Sequence, residues 1–316
     1  MPDFRTVLPE IAAPFRISHN DRLLMLGSCF TENIGAWLRV RQFRILTNPY
    51  GIVYNPVSIA RALNGIHWEQ ADFFEQEGIW RHWELHSSLA ASSPEKALAE
   101  AQSAAQALHN WLLQTDVLLL TLGTAHVFEW RTTGQVVANC HKVPAAQFYH
   151  RLLSVQETID ALHPAILRLQ QLRPGLKTIL TVSPVRHLRS GMVDNQRSKA
   201  TLLLACAALS ETLPNTFYFP AYELLMDDLR DYRFYAQDMI HPSESAIQYI
   251  SERFSEAFFE ENTRHINREL ERIQQGFEHR PFNPDTPQHQ AFVEKLKQQT
   301  AAMQQRFPWM NWGREG

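Results

Sequence analysis

Short, uninterrupted apolar runs alternate along this chain with longer segments whose apolar residues recur at helical spacing. Arg22 to Leu26 is one such run, closed by Gly27. Phe30 to Val40 follows with Phe30, Ile34, Trp37 and Leu38 on one face, so the pattern predicts strand, tight turn, helix. A second strand is predicted at Phe43 to Leu46, then a turn at Asn48-Pro49-Tyr50-Gly51 and a helix over Pro56 to Leu63. Pro94 to Gln114, rich in Ala, Glu, Leu and Gln, predicts a long helix. Val117 to Leu122 is continuously apolar and ends at Gly123, the mark of a strand covered on both faces. Val127 to Arg131 and Gln135 to Asn139, separated by Thr-Thr-Gly, predict a hairpin excursion at about residues 127–140.

Ser154 with Glu157 three residues on predicts a capping box for a helix reaching Gln171, which Pro174-Gly175 stops. A strand at Lys177 to Val182, a helix near Gln196 to Leu213, a strand at Thr216 to Phe219 and a helix over Ser243 to Glu260 complete the series. Arg197 and Lys199, near the start of the first of these helices, read as surface residues. The alternation predicts an α/β fold: a three-layer, doubly wound, mainly parallel sheet. From Glu261 the chain turns polar and Gln-rich, with Pro281, Pro284 and Pro287 ahead of a last helix over Gln288 to Arg306. The expected division is therefore a catalytic domain over residues 1–260 and a helical C-terminal extension over 261–316. The aromatic run Phe307 to Trp312 should pack on the domain or on a partner subunit.

Composition narrows the classes. With 316 residues, 45% of them hydrophobic, the chain can bury a full core. A balance of 30 basic against 33 acidic residues gives no reason to expect a nucleic-acid or anionic-membrane partner. Met1 to Asn20 mixes Asp3, Arg5, Glu10 and Arg16 among its apolar positions and lacks the apolar stretch of a signal peptide. No apolar run is long enough to span a bilayer. Cys29, Cys140 and Cys206 are odd in number and widely spaced, neither a disulfide framework nor a zinc-ribbon pattern. A reducing, cytoplasmic setting is expected, with free thiols available for chemistry.

In an open parallel sheet, ligands bind at the carboxyl ends of the strands. Ser28, Cys29, Tyr50, Gly51, Thr124 and Ser183 fall there. Asp238-Met239-Ile240-His241-Pro242-Ser243 places a carboxylate three residues before an imidazole, just ahead of a helix. A turn would let Asp238 accept from one ring nitrogen while the other faces a nucleophile. Taken alone, this spacing equally describes a capping loop with Ser243 as N-cap; the strand-ending Gly-Ser-Cys at the other end of the chain is what gives it weight. His82, Glu84 and His86 alternate; on a strand they would share a face and offer a divalent-metal site, against the blander reading of a polar strand face. His86, next to Ser87, is also a pocket-lining candidate, and Arg186-His187 at a strand end reads equally as a site for an anionic part of a substrate or as a solvated loop.

The combination of Gly27-Ser28-Cys29-Phe30-Thr31 with Asp238 to Ser243 resembles the SGNH or GDSL-type hydrolase superfamily, in particular its GSCFA branch. The resemblance covers roughly Arg22 to Glu260: Leu24 to Phe30 is similar to the Gly-Asp-Ser-Leu block and Asp238 to Ser243 to the Asp-x-x-His-Pro block. Asn48 to Asn55, Leu122 to Val127, Val182 to His187 and Asn139-Cys140-His141-Lys142 also look like family segments. The resemblance implies an SGNH hydrolase-like, flavodoxin-like fold and covalent chemistry on an ester of a small molecule or carbohydrate, with no cofactor.

Two departures matter. Cys29 stands where the nucleophilic serine belongs, with Ser28 the alternative; a thiol at a helix N-terminus beside a histidine is chemically credible. Gly51 is the expected oxyanion N–H donor together with the nucleophile's own N–H, but Ala125 stands where the superfamily has an asparagine. Thr124, His126, Asn139 and Asn48 are the candidates to replace it; without a replacement, transition-state stabilisation would fall by about 3 kcal/mol. The leading expectation is thus an ester hydrolase or acyltransferase using Cys29 or Ser28, His241 and Asp238. The alternatives are a non-catalytic ligand-binding protein on a degenerate fold, and metal-assisted hydrolysis through His82, Glu84 and His86.

Overall fold

The computed structural model describes residues 6–278 and 286–312. In chain order the elements are β1 (Arg22–Gly27), α1 (Cys29–Val40), β2 (Arg44–Thr47), α2 (Pro56–Asn64), β3 (Phe74–Gln76), β4 (Ile79–Arg81), α3 (Pro94–Leu112), β5 (Val117–Leu122), β6 (His126–Trp130), β7 (Val136–Val137), β8 (Phe148–Leu152), α4 (Val155–Leu172), β9 (Lys177–Val182), α5 (Met192–Thr212), β10 (Thr216–Phe219), α6 (Ala221–Glu223), α7 (Glu244–Phe258), α8 (Glu261–Glu278) and α9 (Pro287–Arg306). β10-β9-β5-β1-β2 form one 5-stranded sheet in which every pairing is parallel. Counted along the chain, that order is 2-1-3-4-5, the flavodoxin-like doubly wound arrangement.

The period-two geometry of a strand divides its side chains between two helical layers. Leu118, Leu120 and Leu122 of β5 enter one core with Ile59, Ala101, Ile166 and Leu202, contributed by α2, α3, α4 and α5. Val117 and Leu119 enter the other with Phe30, Ile34, Phe254 and Phe258 of α1 and α7. A continuous apolar run is what burial on both faces requires. The helices start where polar caps stop the strand-to-helix loops: Ser28, Asn55, Ser93, Ser154 and Ser243 each accept from a backbone N–H of the first turn. Glu157 completes the capping box with Ser154.

Three features depart from the sequence reading. The excursion after β5 holds a third strand, β8, on the outer side of β6. Its polar Tyr-His-Arg centre hides a strand of which only Phe148 is fully buried. α5 begins at Met192, several residues before the predicted start, with Gly191 as its N-cap. α8 was masked by its polarity: Ile266, Leu270 and Ile273 recur on one face and close a small core with Met303, Phe307 and Met310. Pro281 and Pro284, the expected breakers, lie outside the described residues. The terminal aromatics pack on the domain itself: the Arg44 guanidinium lies 4.7 Å from the Trp309 ring centroid, and Gln42 Nε2 donates to the Asn311 carbonyl at 3.1 Å. Among the described residues no helix is long and apolar enough to cross a membrane.

β1 ends at a corner that only glycine can occupy. Gly27 has φ of 144°, and a Cβ there would sit 2.2 Å from the Thr121 carbonyl oxygen of β5. Gly27→Ala is accordingly expected to destabilise the protein by at least about 2 kcal/mol. Urea unfolding followed by circular dichroism checks this; an unchanged midpoint and slope would contradict the close approach.

Candidate active site at the carboxyl ends of the strands

The corner after β1 is fixed from behind. The Gly27 N–H donates to Asn48 Oδ1 at 2.8 Å, and Asn48 Nδ2 donates to Glu32 Oε1 at 2.5 Å. Asn48, at φ of 44°, is therefore a support for the corner, its amide oxygen bound to Gly27 and its amide nitrogen to Glu32. The Ser28 N–H donates to the Thr121 carbonyl at 3.2 Å, and Ser28 Oγ accepts from the Phe30 N–H at 3.2 Å. Ser28 is thus an N-cap, only 1% exposed. Cys29, the first helical residue, is a free, half-buried thiol. Between the two candidate nucleophiles, the geometry engages the hydroxyl as a helix cap and leaves the half-buried thiol without that structural role.

The second half of the site comes from the loop before α7. His241 Nδ1 lies 2.6 Å from Asp238 Oδ2. Asp238 Oδ1 accepts from the backbone N–H groups of Ile240 and His241 at 2.9 and 3.0 Å. These bonds to the charged form hold the Asp238 carboxyl down at about 2, the His241 N–H being the largest cause. With Nδ1–H donating to the carboxylate, Nε2 is left as the basic atom. The loop is clamped by Arg186, whose N–H donates to the Ile240 carbonyl at 3.2 Å and whose Nη1 donates to the Met239 carbonyl at 3.3 Å. The Arg186 guanidinium also lies 4.0 Å from the Tyr235 ring centroid. Arg186 thus supports the His241 loop, where an anion-binding role was expected. Ser243 caps α7, so the capping and the functional readings of this segment hold together.

The two halves share one electrostatic neighbourhood. Burial raises the Cys29 thiol above its ordinary 9.0; the backbone N–H groups of Cys29 and Phe30 and the Lys199 ammonium oppose that, and the Asp238 carboxylate adds to it. No hydrogen bond joins the thiol to the imidazole among the described residues. Lys199, read from the sequence as a surface residue, is 1% exposed. Its Nζ donates to the carbonyls of Gly123 and Ser183, both at 2.7 Å, tying the ends of β5 and β9 together. Burial pulls its amine down to about 7. His187, expected beside Arg186 as an anion binder, is half-buried and pulled down to about 3 by desolvation first, then by Lys199 and His241. Its ring lies 5.0 Å from that of Tyr54. Tyr54, raised by burial and also by Cys140 and Cys29, carries a hydroxyl with no hydrogen-bond partner among the described residues. Sequence pattern offered no signal for Lys199 or Tyr54: each becomes significant only through the loops that bury it.

The remaining candidates divide. The Gly51 N–H donates to the Asn48 carbonyl at 2.7 Å, closing the turn, so it is not the free oxyanion donor expected. The glycine is needed for another reason: at φ of 73° its Cβ would lie 2.2 Å from His86 Cβ. Thr124 Oγ1 pairs with Ser198 Oγ at 2.8 Å and accepts from the His126 N–H at 3.0 Å, and buried Ala125 donates its N–H to Ser198 Oγ at 2.7 Å. That strand end is therefore engaged with α5. Asn139 is bound to Ser87 and His141, and His86 Nδ1 to Ser88 Oγ at 2.9 Å. Both serve the turns beneath the site. His126 lies beside it, stacked on His150 with ring centroids 4.8 Å apart.

The metal reading does not hold. β4 ends at Arg81, so His82, Glu84 and His86 follow a turn and do not share a strand face. His82 Nδ1 accepts from the Glu84 N–H at 3.1 Å inside a cage of Trp68 and Phe73, and Glu84 pairs with Arg61. No cluster among the described residues has the makings of a metal site.

Fold and site together define an α/β protein with a thiol, an imidazole and a carboxylate gathered at the carboxyl ends of a parallel sheet. The GSCFA family matches residues 22–254, and the C-terminal domain of GSCFA domain proteins matches residues 270–315. The chain belongs to the GSCFA family. No curated protein matches it. Among solved structures it is similar to a candidate GDSL-like lipase of Parabacteroides merdae, at 14% identity and a TM-score of 0.40, over 79% of this chain and 98% of that one. It is also similar to a candidate platelet activating factor of Streptococcus pneumonia, at 14% identity and 0.38, over 74% and 82%. A carbohydrate esterase family 3 protein of Talaromyces cellulolyticus matches at 9% identity and 0.34, over 74% and 94%.

The signs of the shifts at Cys29 give a pH test. Alkylation by iodoacetamide requires the thiolate, so its rate at Cys29 in the free protein should keep climbing through pH 9.0. Asp238→Asn removes a negative neighbour and should make Cys29 alkylate faster at any given pH below that midpoint. Site-resolved mass spectrometry measures both; a plateau below pH 8, or slower alkylation in the variant, would contradict this electrostatic arrangement.

Proposed function

We propose that this protein cleaves or transfers an acyl group through a thioester on Cys29. What carries the reading is the bond from His241 Nδ1 to an Asp238 carboxylate held by two further backbone donors. This is the geometry that orients an imidazole as a general base, and a capping loop needs none of it. In the proposed sequence, His241 Nε2 takes the thiol proton as Cys29 Sγ attacks the ester carbonyl carbon. The tetrahedral intermediate collapses to a thioester, and the departing alkoxide takes the proton from His241. Water, or the hydroxyl of an acceptor, then gives its proton to His241 as its oxygen attacks the thioester, and the thiolate leaves and is reprotonated.

The high thiol pKa means that proton removal by His241 has to accompany attack, since little thiolate exists beforehand at neutral pH. For the oxyanion, the Cys29 N–H at the start of α1 supplies one donor, supported by the helix N-terminus. We assign the second to the Tyr54 hydroxyl, which is unpartnered and interacts with Cys29, in place of the side chain missing at Ala125. An O-acyl carbohydrate or another small ester is the proposed substrate type.

The absence of a thiol–imidazole hydrogen bond favours the competing reading, ligand binding without turnover. Release of 4-nitrophenol from 4-nitrophenyl acetate separates the two. Cys29→Ala and His241→Ala are expected to lower kcat/KM by about 1,000-fold or more. Ser28→Ala should act mainly through stability, costing about 1 kcal/mol as a lost cap. Wild-type turnover no faster than the uncatalysed reaction would establish the binding reading.

A further inference from the structure

Where the β6-β7-β8 excursion meets the loop after β9 lies a cavity of about 90 Å³. Tyr54, His126, His150, His187, Arg189 and Ser190 supply part of its polar wall, with Asn55 and Thr124 also present, and Val127, Phe128, Val137 and Ala138 form the apolar part. No carboxylate lines it. Arg189 lies over the Phe128 ring, 4.5 Å from the centroid, and forms no ion pair among the described residues. Both ring nitrogens of His126 and Nε2 of His187 are shut off from solvent without a hydrogen-bond partner. Leaving such groups unsatisfied costs about 1–3 kcal/mol each, so the wall is built to be completed by something.

The chemistry of the wall says what. Neutral His126 and His187 each offer one imidazole N–H, and Arg189 offers a planar fork of donors, while Ser190 Oγ is paired with His150 Nε2 at 3.4 Å. The fixed charge of the wall is positive. Burial holds His187 and His150 below the ordinary histidine value, so Arg189 carries that charge at neutral pH. The volume equals roughly three liquid waters at about 30 Å³ each. That admits a carboxylate with its adjoining carbon. Tyr54 and His187 belong to this wall and also to the surroundings of Cys29 and His241.

We infer that this cavity is a subsite for a carboxylate, so that the ester acted on carries a carboxyl group close to the reacting carbonyl. The role as a substrate subsite rests on the Cys29 reading above; the binding of a carboxylate does not. The test is titration of full-length protein with sodium acetate, at ionic strength held constant with sodium chloride, followed by imidazole ¹H–¹⁵N NMR. His126→Gln and His187→Gln assign the signals. Saturable shifts of the His126 and His187 signals are expected with acetate and not with chloride. Arg189→Met should weaken binding by about tenfold or more, Arg189→Lys should retain most of it, and Cys29→Ala should bind as the wild type does. Absence of saturable shifts, equal affinity in Arg189→Met, or a response to phosphate alone would overturn the inference. Should acetate bind as described while Cys29→Ala turns over 4-nitrophenyl acetate as fast as wild type, the subsite stands and the catalytic reading fails.

Discussion

The arrangement depends on how closely two backbones pass at the end of β1. Gly27 lies against the Thr121 carbonyl with no space for a Cβ. At φ of 144° the chain breaks out of the strand there, and the next two residues become the N-cap and first residue of α1. A hydroxyl at the cap position is drawn inward to the Phe30 N–H, and the following residue opens the helix with its side chain at the helix N-terminus. The corner thereby determines which of two adjacent nucleophiles is presented. Asn48 and Glu32 hold it from behind through side-chain hydrogen bonds.

The partner groups arrive on connections remote in sequence, and their placement depends on tethers. Arg186 binds the two carbonyls that precede His241, and Lys199 binds the carbonyls at the ends of β5 and β9. Each tether is a cation held by backbone oxygens, and each links a strand end to the site without needing to touch a substrate. A buried ammonium engaged in this way resists displacement, because breaking either bond would leave a charge in a low-dielectric interior. The environment that fixes the geometry also suppresses the thiolate, which is why the proposed mechanism couples proton removal to attack.

The layers of the fold were legible because each rests on local physics. Continuous apolar runs at Val117 to Leu122 and Lys177 to Val182 became central strands, and Ser154 with Glu157 became the cap it resembled. The Asp238–His241 pair was legible because both partners lie in one turn. Contacts assembled from different elements were not. Lys199 sits in a polar stretch at the start of α5 and is buried only because two strand ends close over it. The N–H of Gly51 was assigned to the oxyanion by motif position and Asn48 was one candidate to replace the missing asparagine, yet a turn and a corner engage them. The alternation of His82, Glu84 and His86 suggested a strand face, but the strand stops one residue before it. α8 escaped notice because three apolar residues suffice when a neighbouring helix completes the core.

The central claim is that the thiol at this corner, and not the hydroxyl beside it, receives the acyl group. The most direct measurement is rapid acid quench of the protein with 4-nitrophenyl acetate, followed by peptide mass spectrometry of the segment that contains Ser28 and Cys29. A single acetyl group on Cys29, removed by neutral hydroxylamine as a thioester is and absent from Cys29→Ala, is the predicted result. An acetyl group on Ser28 that resists neutral hydroxylamine would contradict the account.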